Sequence, residues 1–254
     1  MAGWYSGPER SYISRMGNPK DNLPQGPGHS GRGDVDSFIR QVQAMPQVRV
    51  GARGRLIFAM DATASREPSW DHACHIQGQM FETTAALGGL EVQLVFYRGF
   101  HECKASRWYA DGADLHRAMR RVLCAGGQTQ IERVLDHAIK AAREGQVNAL
   151  VFVGDAMEEN PDALCHRAGE LGLLGVPVFL FHEGGDPVAR RTFQEMARLS
   201  KGAYFAFDAA SAQQLRDLLA AVAAYAAGGR AALAALGKER GGAALLLSSQ
   251  LGKS

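Results

Sequence analysis

Residues 55–67, from Arg55 to Glu67, read RLIFAMDATASRE. Leu56, Ile57, Phe58, Ala59 and Met60 form a short apolar run, the pattern of a strand buried on both faces of a parallel sheet. The run ends in Asp61, after which oxygen-bearing side chains alternate with alanines at Asp61, Thr63 and Ser65. In an open α/β sheet, ligands bind beyond the carboxyl ends of the strands. These three side chains therefore stand where a ligand is expected.

On either side of this strand the pattern is βαβ from Arg49 onward. A helix is expected over about Ser69–Leu87, entered through Pro68, with Ala73, Ile76, Met80 and Leu87 on one face and Gly88-Gly89 ending it. Val92–Tyr97 (VQLVFY) is a second strand and Cys103–Tyr109 a short edge strand. A helix over Ala113–Leu123 is broken by Gly126-Gly127-Gln128-Thr129. Ile131, Val134, Leu135, Ala138, Ile139 and Ala142 then repeat at helical spacing. Strand Ala149–Val153 ends at Gly154-Asp155. Helix Pro161–Leu174, with proline in its first turn, strand Pro177–His182, helix Pro187–Leu199 and strand Ala203–Phe207 follow. The last expected helix runs from Ser211, a good N-cap residue, to about Ala226. Regular alternation predicts an α/β domain, a doubly wound, mostly parallel sheet flanked by helices. Right-handed crossovers put the carboxyl ends of its parallel strands on one rim.

The chain has 254 residues, of which 46% are hydrophobic and 21% charged, enough for one good-sized domain with extensions. Residues 1–47 hold five of the nine prolines and many glycines. They are expected to form an extended or disordered arm with one short helix around Val35–Ala44. Trp4, Tyr5 and Tyr12 are its candidates for docking, and Arg32-Gly33-Asp34 reads as a turn. The domain is expected over 48–227, followed by an Ala/Gly/Leu-rich tail at 228–254. A net charge of +2 provides no strong field for nucleic acid or an anionic membrane. No apolar run is expected to be long enough to span a bilayer, and MAGWYSGPER lacks a signal-peptide core. A cytoplasmic location is the expectation. Cys74, Cys103, Cys124 and Cys165, without a CxxC pair, read as reduced thiols.

Three rim loops carry oxygen side chains: Asp61, Thr63 and Ser65 on the first, Thr129 on the second, Asp155 on the third. Two carboxylates and three hydroxyls are hard ligands, suited to Mg²⁺, with Mn²⁺ or Ca²⁺ as neighbours, rather than to zinc. Mg²⁺ seeks six oxygens, which leaves a position for an acidic group from outside. Each residue taken singly also fits a local role. Asp61 and Asp155 could order turns, Thr63 and Ser65 could cap, and Thr129 could be the N-cap of the helix after it. Five such residues on three loops of one rim are harder to explain by capping.

Together these residues resemble the metal-ion-dependent adhesion site of von Willebrand factor A (VWA) domains. Asp61-Ala62-Thr63-Ala64-Ser65 resembles the DxSxS or DxTxS signature, Gly126-Gly127-Gln128-Thr129 the glycine-rich threonine loop, and Val153-Gly154-Asp155 the late aspartate. The resemblance covers about residues 50–226 and is to bacterial, intracellular members. It implies a Rossmann-like VWA fold. Thr63 and Ser65 would bind the metal directly, and Asp61 and Asp155 directly or through water. Thr129 would be the movable ligand. A partner's Asp or Glu would complete the octahedron, in a non-enzymatic interaction module. The resemblance implies a protein partner of the ATPase, chaperone or stress-response kind. Gln128 and Ala156 depart from the usual glycines, and Gln128 could stiffen the threonine loop.

The neighbouring Glu67, Glu158 and Glu159 read as a solvated face, with Glu158 also able to supplement the metal and Arg66 able to meet an acidic partner group. His72, Cys74 and His75 have no further ligands placed beside them for a closed metal site. Neither GxSxG nor a P-loop is present. The alternatives are a Mg²⁺-dependent phosphohydrolase using Asp61, although Thr63 takes the second place of a DxD pair, or a scaffold that no longer binds metal.

Overall fold

The computed structural model describes residues 53–64, 89–207 and 212–239, together with Ser37 and Arg40, which are helical. The rest of the arm, the expected helix over Ser69–Leu87, Ser65, Arg66, Glu67, the His72–His75 group and the end of the tail lie outside the described residues.

Six strands form one sheet: β1 (Gly54–Asp61), β2 (Leu90–Arg98), β3 (Glu102–Tyr109), β4 (Ala149–Gly154), β5 (Val178–Glu183) and β6 (Ala203–Phe207), in the order β3-β2-β1-β4-β5-β6. All neighbours are parallel except β2 and β3, which form an antiparallel edge. The fold is therefore doubly wound and mostly parallel, as the strand and helix alternation predicts. From β1 the chain leaves toward β2 and later returns to pair β4 on β1's other side. That reversal is the switch point where a crevice opens above an α/β sheet. Asp61 ends β1 there and Asp155 follows β4.

The period-two alternation of β1 divides its side chains between two cores. Leu56, Phe58 and Met60 join one, with Leu94, Val151, Phe179, Phe181 and Phe205. Ile57 and Ala59 join the other, with Val95, Leu150, Phe152 and Leu180. The second core is closed by α2 (Ile131–Glu144), α3 (Pro161–Leu173) and α4 (Pro187–Leu199), through residues such as Val134, Leu135, Leu164, Phe193 and Met196. A short α1 (Gly112–Met119) adds Leu115 and Met119 to the first core. Each fully buried Leu, Ile or Phe contributes about 1.5–3 kcal/mol relative to exposure.

The first core is closed chiefly by α5 (Ala212–Glu239), which bends at Gly229 (φ 66°). Every residue from Leu218 to Ala227 is buried. A helix apolar all round must be interior. This helix runs past the boundary expected at residue 227, since Ala232 and Leu233 are also buried. It also corrects the expectation that no segment could span a bilayer. Asp217–Leu236 is long and apolar enough by length and composition, but most of it is buried inside the domain. Its small alanines let it lie very close to the sheet. A Cβ on Gly54 would sit 2.2 Å from the Ala226 carbonyl oxygen, so only glycine fits at the start of β1.

Gly54→Ala must push α5 off β1. We expect a loss of about 1–3 kcal/mol, typical of overpacking, read as a lower urea midpoint with an unchanged m-value.

Candidate metal centre

Asp61 is held by its neighbours in the sheet. Tyr97 pairs with it from β2, and Met60 pairs with Val153, which brings Gly154 alongside. A Cβ on Gly154 would lie 3.9 Å from the Asp61 Cβ and 2.8 Å from the Phe152 ring, so this glycine keeps the crevice open. The Asp61 carboxylate is 1% exposed. Its Oδ1 accepts the Thr63 N–H at 2.7 Å, the turn that the capping reading foresees. Its Oδ2 and the Tyr97 hydroxyl are both buried; among the described residues neither has a hydrogen bond of good geometry, although the Tyr97 hydroxyl lies close enough to help hold the Asp61 carboxylate charged. Burial pushes the Asp61 carboxyl above its ordinary range; hydrogen bonds from Thr63 pull it back, and the charge of Asp155 pushes it up again. Tyr97 is pushed well up by burial first, then by the charges of Asp61, Glu159 and Asp155. Thr63 is buried next to Asp61, and Ser65 lies outside the described residues.

The second loop is fixed from below by backbone bonds. The Ala125 N–H donates to the Ala62 carbonyl at 3.1 Å, which ties it to the first loop. The Gln128 N–H donates to the Gly99 carbonyl at 3.1 Å. The Gln130 amide donates to the carbonyls of Arg98 and Gly99, each at 3.2 Å. Gly127 lies flat on the same turn, where a Cβ would come within 2.0 Å of the Gly99 oxygen.

Thr129 is not the N-cap of α2. Gln130 occupies that position and makes no side-chain capping bond. The cap comes instead from the third loop. The Glu159 carboxylate accepts the Ile131 N–H, the Glu132 N–H at 3.2 Å and the Thr129 hydroxyl proton. Glu158 accepts the Thr129 N–H at 3.1 Å, while its own N–H donates to Thr129 Oγ1 at 2.9 Å. Both glutamates bind the threonine loop; Glu158 remains exposed, as a solvated face requires, while Glu159 is half-buried, which corrects that reading for it. A carboxylate at a helix N-terminus is stabilised by the unpaired N–H groups and the helix dipole.

Asp155 is half-buried, and its carbonyl bonds His182 Nε2 at 3.1 Å. His182 is fully buried, and its Nδ1 bonds the Tyr204 hydroxyl at 3.0 Å. Burial pushes the His182 pKa down, so a neutral imidazole supports the third loop from β5.

Four of the five expected ligand residues, Asp61, Thr63, Thr129 and Asp155, therefore stand on one rim on three loops, the second of which is bonded to both the first and the third. Among the described residues no three His, Cys, Asp or Glu side chains cluster as a metal site. The candidate set is two carboxylates with hydroxyls. It fits a hard divalent cation on one observation above all: among the described residues a buried carboxylate oxygen of Asp61 has no well-formed hydrogen bond, beside the charge of a second carboxylate. Tyr97, Gln130 and His182 are neighbours of the candidate site that motif reading missed, and Glu159 is one whose role it misjudged. Only Glu159 left a signal, a carboxylate four residues after Asp155 without a local use.

No protein-family profile matches this chain, and no curated protein matches it. Solved structures do. The VWA domain of SpRpn10 is 14% identical, with a TM-score of 0.51 over 66% of this chain and 94% of that one. The vWF domain of the type V pili tip protein Mfa5 from Porphyromonas gingivalis is 11% identical, with a TM-score of 0.52 over 69% and 95%. Proximal thread matrix protein 1 from the mussel byssus, with a zinc-occupied MIDAS motif (the metal-ion-dependent adhesion site), is 16% identical, with a TM-score of 0.55. That match covers 69% of this chain and about half, 49%, of that protein. The chain has the VWA fold.

Two outcomes follow from the geometry. Gly127→Ala should displace the Thr129 loop and weaken divalent-cation binding about tenfold or more, as outer-shell changes do. Gly126→Ala, which meets nothing within 4 Å, should leave it unchanged by calorimetry. The second concerns stability. Asp61 has a folded pKa raised above its ordinary 3.8, so ionising it as pH rises costs the fold free energy. Metal-free Asp61→Asn should then be more stable than wild type at neutral pH by about 0.5–2 kcal/mol. That gain should vanish on acidification through the raised pKa, read from urea midpoints at a series of pH values.

Proposed function

We propose that this domain binds an acidic side chain of a protein partner through a divalent cation held by Asp61, Thr63, Ser65, Thr129 and Asp155. The observation that carries the reading is the buried Oδ2 of Asp61 at the switch point of the sheet, which among the described residues has no well-formed hydrogen bond. The VWA fold and the metal-occupied adhesion motif of the mussel thread protein support it. The oxygen-only donor set favours Mg²⁺, with Mn²⁺ or Ca²⁺ as substitutes.

The cation would supply a positive centre able to take one more oxygen ligand. The protein's own residues do the rest. Asp61 and Asp155 offer two negative charges, which balance a divalent ion and leave an incoming carboxylate attracted to an open position. Thr63 is held against Asp61 by the turn, and Thr129 by Glu158 and Glu159. Burial at the crevice floor lowers the local dielectric and strengthens each charge interaction. The partner belongs, in this proposal, to an ATPase, chaperone or stress-response assembly in the cytoplasm, and the domain recognises rather than transforms it.

Calorimetric titration with Mg²⁺ and Mn²⁺ should show one site per chain in the wild type and none in Asp61→Ala, with circular dichroism unchanged. Capture of a partner should be lost in EDTA. Retention of that partner with and without EDTA would refute metal-bridged recognition. Hydrolysis of a phosphate ester, abolished in Asp61→Asn, would replace the binding reading with an enzymatic one.

A further inference from the structure

We propose that Glu159 is a positioning residue of the cation site: it takes the hydroxyl proton of Thr129 and caps α2 with the same carboxylate, and so presents the Thr129 oxygen as a ligand. This inference rests on the metal-binding reading above.

A hydroxyl has one proton to donate and two lone pairs to accept with. The Thr129 proton goes to Glu159. One lone pair accepts the Glu158 N–H at 2.9 Å. The count leaves one lone pair for a cation. A carboxylate that accepts a ligand's proton makes the ligand oxygen more electron-rich, as outer-shell partners do for other metal ligands. A neutral acceptor would do this less well, and a donor in the same place would compete with the cation for the oxygen.

Glu159 cannot simply swing into the site as a ligand itself. It accepts the N–H groups of Ile131 and Glu132 at the start of α2. Among the described residues no other side chain caps this helix. Gln130 stands at the N-cap position, but its amide nitrogen is spent on the carbonyls of Arg98 and Gly99. Its Oε1 accepts from Arg133 at 2.6 Å. Releasing Glu159 would therefore uncap α2 and free Thr129 together. The ligand and the helix's first turn are coupled through one side chain.

Glu159→Gln separates the two jobs. The amide oxygen can still accept from Ile131 and Glu132, so the cap survives. The amide nitrogen then faces Thr129 as a donor, which reverses the polarity of that bond. Mn²⁺ affinity by calorimetry, and the bound-Mn²⁺ signal by electron paramagnetic resonance, should fall 10–100-fold. The thermal midpoint of the metal-free protein should move little. In a Thr129→Val background, Glu159→Gln should have no further effect, because the oxygen it positions is gone. A merely structural role would give the same loss in both backgrounds, and that result overturns the proposal. So would equal affinities for wild type and Glu159→Gln. Should Glu159→Gln not fold, Glu159→Asp draws the carboxylate back by one methylene. It should cost about tenfold in the wild-type background and nothing in Thr129→Val. A wild type that binds no Mn²⁺ is a different failure, since it removes the cation site and this inference with it.

Discussion

A carboxylate buried at the end of the central strand dominates the rim. Removing an ionised group from water costs several kcal/mol unless it is paired or coordinated. Asp61 is 1% exposed, and among the described residues only one of its oxygens has a well-formed hydrogen bond. The adjacent Tyr97 hydroxyl is equally buried, and it lies close enough to offer that carboxylate a proton, though without good hydrogen-bond geometry. A fold that needed only a turn at this point would use an exposed Asp or Asn. The two apolar cores on either face of β1 supply the stability against which this local cost is set.

Three loops that are far apart in sequence behave at this rim as one object. The Gly99 turn receives the Gln128 N–H and the Gln130 amide, and the Ala62 carbonyl receives the Ala125 N–H. Glu158 and Glu159 cross from the third loop to the second. His182 supports the third loop from β5. Displacing any one loop therefore strains the others. This is the preorganisation that a binding site needs if ordering is not to be completed at the moment of binding.

Much of this is legible in the chain because the signals are periodic. The run Leu56–Met60 could hardly be anything but a doubly covered strand, and the apolar series from Ile131 marks α2 from its first residue. The oxygens at Asp61, Thr63, Thr129 and Asp155 were legible as candidates because they fall at strand ends, where topology collects them. What stayed hidden depends on distance rather than pattern. Thr129 was a reasonable N-cap candidate by sequence, yet a carboxylate from another loop performs that function. Glu158 and Glu159 read as solvated because nothing local shows that a helix start lies opposite them. Nor does anything in the composition of α5 distinguish a helix interior to a protein from one able to enter a bilayer; only its burial against the sheet does.

That helix sets the order in which the domain can be completed. Its buried segment lies roughly 160 residues after β1, which it covers. At about 5–20 residues per second, synthesis leaves that face of the sheet uncovered by α5 for on the order of 10–30 s. During this interval Leu56, Phe58 and Met60 have lost nothing of their apolar character but lack their final cover. The domain is thus most open to capture by chaperones, or by another copy of itself, while its last helix is still being made.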